Sequence, residues 1–176
     1  MLLSCRGGVG WGHVPLLPSA ADPNGVSGPR SYSGGVGRLD IAECRRRVTT
    51  SRVARLATTG ADQRPHLVPV TFALDEERLV VGIDQKPKST MKLRRLRNIA
   101  ENPQVAVLCD EYDEDWTQLW WVRMDGRAAV VEDGPVREHA IQLLVAKYPQ
   151  YSDDAAPRGP VIVVDVERWS GWAYAA

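Results

Sequence analysis

The sequence predicts a mainly β domain with flanking helices, an α+β chain built on an antiparallel sheet or barrel. Three observations predict it. Short runs rich in β-branched residues recur between turn signals. They arrive in groups, in the order helix, three strands, helix, two strands, helix, strand, which is not the strict alternation of a doubly wound parallel sheet. A composition of 44% hydrophobic and 25% charged residues over 176 residues suits one globular domain with a sizeable core.

Residues 1–38 stand apart. They are rich in Gly, Pro and Ser and show no hydrophobic period, so they read as a disordered tail or as sequence upstream of a misplaced start codon. The folded domain is then expected over 39–176. It opens with a helix in "LDIAECRRRVTTS", where Asp40 is a capping residue. "VARLATT", "PHLVPVTFAL" and "RLVVGI" follow as strands, separated by "TGADQRP" and "DEE". "MKLRRLRNIAEN" is a helix that places Leu93, Leu96 and Ala100 on one face beside Ile99, and Pro103 ends it. "QVAVLCD" is a strand. "LWWVRMDGRAAVVE" is a long strand with a bend expected at Gly126. "PVREHAIQLLVAKYPQ" is a helix with Pro135 in its first turn. "PVIVVDVERWSGWAYA" closes the chain as a strand.

Charge and composition exclude several classes. Net charge is zero, and the first 38 residues hold three of the 22 basic and one of the 22 acidic residues. That leaves 19 basic against 21 acidic from Leu39 onward, too acidic for a general nucleic-acid binder. No apolar run approaches the roughly 18 residues of a membrane span. Cys5, Cys44 and Cys109 are scattered and odd in number, which favours a reducing cytoplasm over a disulfide framework. His13, His66 and His139 form no H-x-x-x-H pair, so no metal site is expected.

One stretch departs from this balance. "DQKPKSTMKLRRLRN" carries six cations between Lys86 and Arg97 and no acid among them. Cations at a helix start oppose the helix dipole, by about 0.3–1 kcal/mol each when exposed. An anion bound there reverses the sign, since dipole, N–H donors and cations then act together. The charge pattern alone leaves this reading open beside a solvated basic face.

Neighbouring motifs narrow it. "PHLVPV", "KPK", "LRRLRNI", "NPQVAVL", "YDEDW" and "LWWVR-DGRA", in this order, resemble the pyridoxamine-phosphate-oxidase-like split-barrel superfamily, and within it the F420-dependent oxidoreductase branch. The resemblance covers Leu39 to Ala176. It implies a six-stranded antiparallel split β-barrel working as a homodimer, with cofactor grooves at the interface. It also implies that Lys86 and Lys88, with Arg94 and Arg95, hold the cofactor phosphate, aided by Ser89 and Thr90. The isoalloxazine-type ring would lie along Val68, Pro69, Val70 and Thr71. Trp121 and Arg123 are further candidates, Arg123 for the cofactor tail or for a structural ion pair.

The superfamily uses FMN, coenzyme F420 and related ligands. Coenzyme F420 carries carboxylates beyond its phosphate, so six cations favour it over FMN, which stays as the alternative. The implied reaction is hydride transfer to an electron-poor small-molecule substrate, or ligand storage if the protein is a carrier. Because the cofactor supplies the chemistry, no side-chain triad is required. Tyr112, His66 or a water are the candidate proton donors, although a lone His is more often structural. The C-terminal "RWSGWAYA" departs from the R-x-R-L-x-P ending of pyridoxamine phosphate oxidase itself. Five acids from Asp110 to Asp115 lack an EF-hand's Gly and distal Glu, and read as a solvated loop or a partner for the basic helix. Trp120 and Trp121, adjacent in a strand, must face opposite sides, one inward and one outward. Pro69 inside a strand implies an edge, a bulge or an opening.

Overall fold

The computed structural model describes residues 37–83, 93–151 and 156–174. Lys86, Lys88, Ser89 and Thr90 lie outside the described residues, as do residues 1–36.

Helix α1 (Ile41–Thr50) starts where expected, because the Asp40 carboxylate accepts from the Glu43 N–H at 2.7 Å. Its buried face is Cys44 and Val48, one turn apart. Strands β1 (Ala54–Thr59), β2 (Pro65–Val70), β3 (Phe72–Asp75) and β4 (Arg78–Gly82) follow. Helix α2 (Arg94–Glu101) precedes β5 (Gln104–Glu111) and a single 3-10 turn (Trp116–Gln118). The long strand β6 (Trp120–Val131), helix α3 (Gly134–Lys147) and strand β7 (Val161–Ala173) complete the domain. Pro135 falls in the first turn of α3, where its missing N–H has no intrahelical partner to lose.

The strands form one antiparallel sheet in the order β2-β1-β5-β6-β7-β4-β3. Seven strands replace the expected six, because the run "PHLVPVTFAL" is not one strand. It breaks at Thr71 into β2 and β3, which stand at opposite ends of the hydrogen-bonded order. One residue joins the two sheet edges, so the sheet has to curl round on itself as a barrel split at this corner.

Two tyrosines of the α3 end hold the corner. The Tyr148 hydroxyl accepts from the Phe72 N–H at 2.9 Å and lies 2.7 Å from the Phe72 carbonyl and 3.0 Å from that of Arg52. The Tyr151 hydroxyl meets the Thr71 hydroxyl at 2.8 Å.

The barrel interior is filled by alternate residues of every strand, among them Leu56, Phe72, Leu79, Val107, Met124 and Ile162. Helix α1 adds Cys44 and Val48 to this interior, and α2 adds Ile99. Helix α3 instead covers the outside, packing Ala140 and Leu144 against Ala73, Val80, Val161 and Val163. On α2 the buried pair is Asn98 and Ile99, with Leu93 and Leu96 half-buried. Ala100, expected on that face, is exposed, because the helix rotates to bring the Asn98 amide to Thr58 Oγ1 at 3.1 Å.

The bend expected at Gly126 is present as a register shift in the β6–β7 ladder between Asp125 and Gly126. A Cβ at Gly126 would lie 2.2 Å from the Asp165 carbonyl oxygen. Gly126→Ala is therefore expected to cost about 1–3 kcal/mol by overpacking against backbone, measured as a lower urea midpoint.

Candidate functional site

The described part of the basic run meets the sheet at the β1–β2 hairpin. Three contacts tie α2 there. Asn98 binds Thr58, Glu101 accepts from the Ala61 N–H at 2.8 Å, and Arg94 pairs with Asp62 at 3.1 Å. Arg94 and Arg95 are thereby held beside His66 of β2. Their closeness is visible in the electrostatics: burial first, then the charges of Arg94 and Arg95, push the His66 imidazolium below its ordinary range.

Polar atoms here face inward without partners. Nδ1 of His66 and Nε of Arg94 are buried and have no hydrogen-bond partner among the described residues. Buried donors and acceptors of this kind are rare in folded proteins and need an explanation. The Arg94 guanidinium and the His66 imidazole, each with one nitrogen unused among the described residues, have the chemistry to hold the phosphate of a cofactor. No cluster of three or more His, Cys, Asp or Glu able to hold a metal ion occurs among the described residues.

The segment from Val68 to Thr71 runs along an edge strand of the sheet and into the corner. Among the described residues β2 has one ladder partner, β1, and its second edge is unpaired. Val68 is half-buried and packs against the core, Pro69 is exposed, and Val70 is buried. Thr71 sits at the corner with its hydroxyl committed to Tyr151.

Trp121 and Arg123 lie elsewhere. Both point outward from β6, three strands from β2 and so about 14 Å across the sheet. Arg123 pairs with Asp125 at 3.2 Å, and Asp125 also holds Arg168 at 2.7 Å. Within one chain Arg123 thus takes the ion-pair role. Trp120 turns inward and packs against the core, under the Arg47 guanidinium at 5.3 Å.

Among the described residues no ion pair joins the acidic loop to α2. Asp110 pairs with Arg55, Asp115 caps the 3-10 turn through Thr117, and on α2 Arg94 pairs with Asp62 and Arg97 with Glu101. Tyr112 is 74% exposed at the end of β5. Two grooves of about 480 Å³ each flank Trp120 and Glu111, and neither includes a predicted cofactor residue.

Sequence reasoning missed one buried charge. Lys147 ends α3 with its Nζ 3.8 Å from the Phe72 ring centroid and no hydrogen-bond acceptor among the described residues. Burial pushes its ammonium from 10.5 down to about 8. Between these values the unfolded chain holds a proton that the folded one has released, so stability should rise as pH increases from 8 toward 10.5. Lys147→Met should abolish that rise and, because part of the side chain stays solvated, add about 1–3 kcal/mol at pH 7. Urea unfolding at pH 7, 8 and 10 measures both.

Comparison with known proteins agrees with this architecture. The family described as Pyridoxamine 5'-phosphate oxidase matches residues 41–173. A 5a,11a-dehydrotetracycline/5a,11a-dehydrooxytetracycline reductase of Streptomyces rimosus is 44% identical over 57 residues, 32% of this chain and 39% of that protein. The matched part is thus under half the length of that curated relative. The crystal structure of a conserved hypothetical protein of Mycobacterium tuberculosis superposes with a TM-score of 0.64 at 21% identity, over 82% of this chain and 91% of the other. An FAD-binding protein of Mesorhizobium loti superposes with a TM-score of 0.56 at 25% identity, over 76% and 93%.

Proposed function

Because the chain belongs to the pyridoxamine 5'-phosphate oxidase family, we propose that it is an oxidoreductase that reduces an electron-poor small molecule with coenzyme F420. One observation carries the reading: Arg94 and His66 lie near one another at the edge strand β2, and each buries a nitrogen without a partner among the described residues. Arg94 and Arg95 would hold the phosphate, with Lys86, Lys88, Ser89 and Thr90 added from the preceding segment. Backbone groups of Val68, Pro69, Val70 and Thr71 on the side away from β1 would orient the ring. When bound, the reduced deazaflavin supplies hydride. The chain's part is to bind, orient and keep water away. A reductase among the relatives supports reduction as the direction.

A second reading has its own support. The Mesorhizobium loti neighbour is an FAD-binding protein, which favours a flavin such as FMN in the same groove. The cation density of the run from Lys86 to Arg97 favours F420, since each charge-assisted contact contributes about 1.5–3 kcal/mol and one phosphate needs few of them.

The site is completed by a homodimer in this reading. The outward face of β2, β1, β5 and β6 carries Leu67 at 64% exposure, with Pro69, Ala57, Leu108 and Trp121 around it. A second copy on that face would bring Trp121 and Arg123 toward the partner's β2. The protein would act in a reducing cytoplasm, with Cys44 and Cys109 as buried free thiols.

Fluorescence titration with F420 and with FMN tests the cofactor. The F420 reading predicts tighter binding of F420, and binding of FMN alone overturns it. Turnover of reduced F420 with enones, quinones and nitroaromatics then separates an enzyme from a carrier.

A further inference from the structure

We propose that His66 is the proton-accepting member of the Arg94–Arg95 site: it is neutral when the site is empty and takes a proton from solvent when a phosphate group binds. The inference deepens the reading above and rests on its anion site. His66 stands on the inner side of β2, opposite Thr58 in the β1–β2 register. Its Nδ1 is buried and finds no partner among the described residues.

The groups that face it can be named. Helix α2 presents Arg94 and Arg95, both cationic, whose charges disfavour a third positive charge. From β1, the Thr58 hydroxyl accepts from the Asn98 amide and makes no hydrogen bond with the His66 Nδ1. The hairpin presents Asp62, already paired with Arg94, and Arg64, which is exposed. Among the described residues an imidazolium here has two like charges beside it and no hydrogen-bonded anion, which favours the neutral ring.

A dianion between the guanidiniums inverts the balance. It sits within reach of both arginines and of the ring, and an opposite charge this close raises a histidine's pKa by about one to three units. Binding and protonation are then linked, and each strengthens the other. Affinity for a phosphate group should fall by up to about tenfold per pH unit across the interval between the empty and filled pKa values. Ligands that lack the phosphate should show no such dependence.

The test uses the full chain and a dianion that does not itself titrate near neutrality. The His66 ring C2–H resonance, assigned with His66→Asn, is titrated with pH in sodium sulfate and in sodium chloride of equal ionic strength. The expected result is a midpoint at least one unit higher in sulfate. In the Arg94→Ala/Arg95→Ala variant the sulfate effect should vanish. A His66 midpoint indifferent to sulfate, or equally shifted without the arginines, overturns the proposal. Calorimetry of FMN and of riboflavin in two buffers of different ionisation enthalpy adds the ligand arm. FMN should bind with proton uptake that His66→Asn removes, and riboflavin should bind without it. If no flavin or deazaflavin binds while His66 still answers sulfate, the functional reading falls and the proton linkage stands. If FMN binds with His66 unmoved, the linkage falls and the functional reading stands.

Discussion

Replacing Arg94 and Arg95 together by alanine is expected to weaken cofactor binding by at least about a hundredfold. Each charge-assisted contact to a phosphate contributes about 1.5–3 kcal/mol, so two contribute about 3–6 kcal/mol, and each 1.4 kcal/mol is a factor of ten. The fold should survive. Arg94 is 37% exposed at its side chain, and its pair with Asp62 is of the surface kind, which contributes about 0–1 kcal/mol. The loss should be specific to the phosphate-bearing ligand. Riboflavin, or the deazaflavin chromophore without its phosphate and glutamates, should bind the variant as it binds the parent protein. The difference should also shrink at high salt, because exposed parts of the site are screened. Fluorescence titration of both ligand forms, with circular dichroism as the folding control, decides it. Equal affinity of variant and parent for the phosphate-bearing ligand would show that the site lies elsewhere.

Tyr148→Phe should carry the largest stability loss from removal of a single atom. The hydroxyl is the acceptor for the Phe72 N–H and donates to the Phe72 or Arg52 carbonyl. Phe72 is fully buried, so water cannot replace the lost oxygen. Leaving a buried donor and a buried acceptor unsatisfied costs about 1–3 kcal/mol each, or about 2–6 kcal/mol together. That is a large share of the 5–15 kcal/mol typical of a domain. The effect should reach the site as well, since the corner at Thr71 sets where β2 ends. Urea unfolding measures the first effect, and the second would show as weaker cofactor binding at a temperature where the variant is still folded. A change in midpoint worth less than about 1 kcal/mol would mean that the corner is held by packing, not by the hydroxyl.

These residues mark how far the sequence could be read. The α1 start was legible at Asp40 because capping is local, and so was the β6 bend at Gly126 and the first turn of α3 at Pro135. Arg123 had a legible partner that was overlooked: Asp125 lies two residues on, and period two puts both on the same face of a strand. The corner at Thr71 was not legible. "PHLVPVTFAL" has continuous strand character, and the groups that break it belong to Tyr148 and Tyr151, 76 and 80 residues away. Ala100 was misplaced for a related reason. Apolar spacing pointed to it, but the buried bond from Asn98 to Thr58 turns the helix the other way.

The sequence by itself determined which segments are strands and helices, that strands come in groups, and that positive charge is concentrated before and within α2. These properties follow from neighbours a few residues apart, whose periods of two and 3.6 residues decide which side is apolar. Only the tertiary structure decided that one strand-like run becomes both edges of a barrel, and that His66 is the companion of Arg94 and Arg95. It also decided that Trp121 and Arg123 stand across the sheet from them. Each of these depends on groups far apart in the chain that meet only once the sheet has closed and water is excluded.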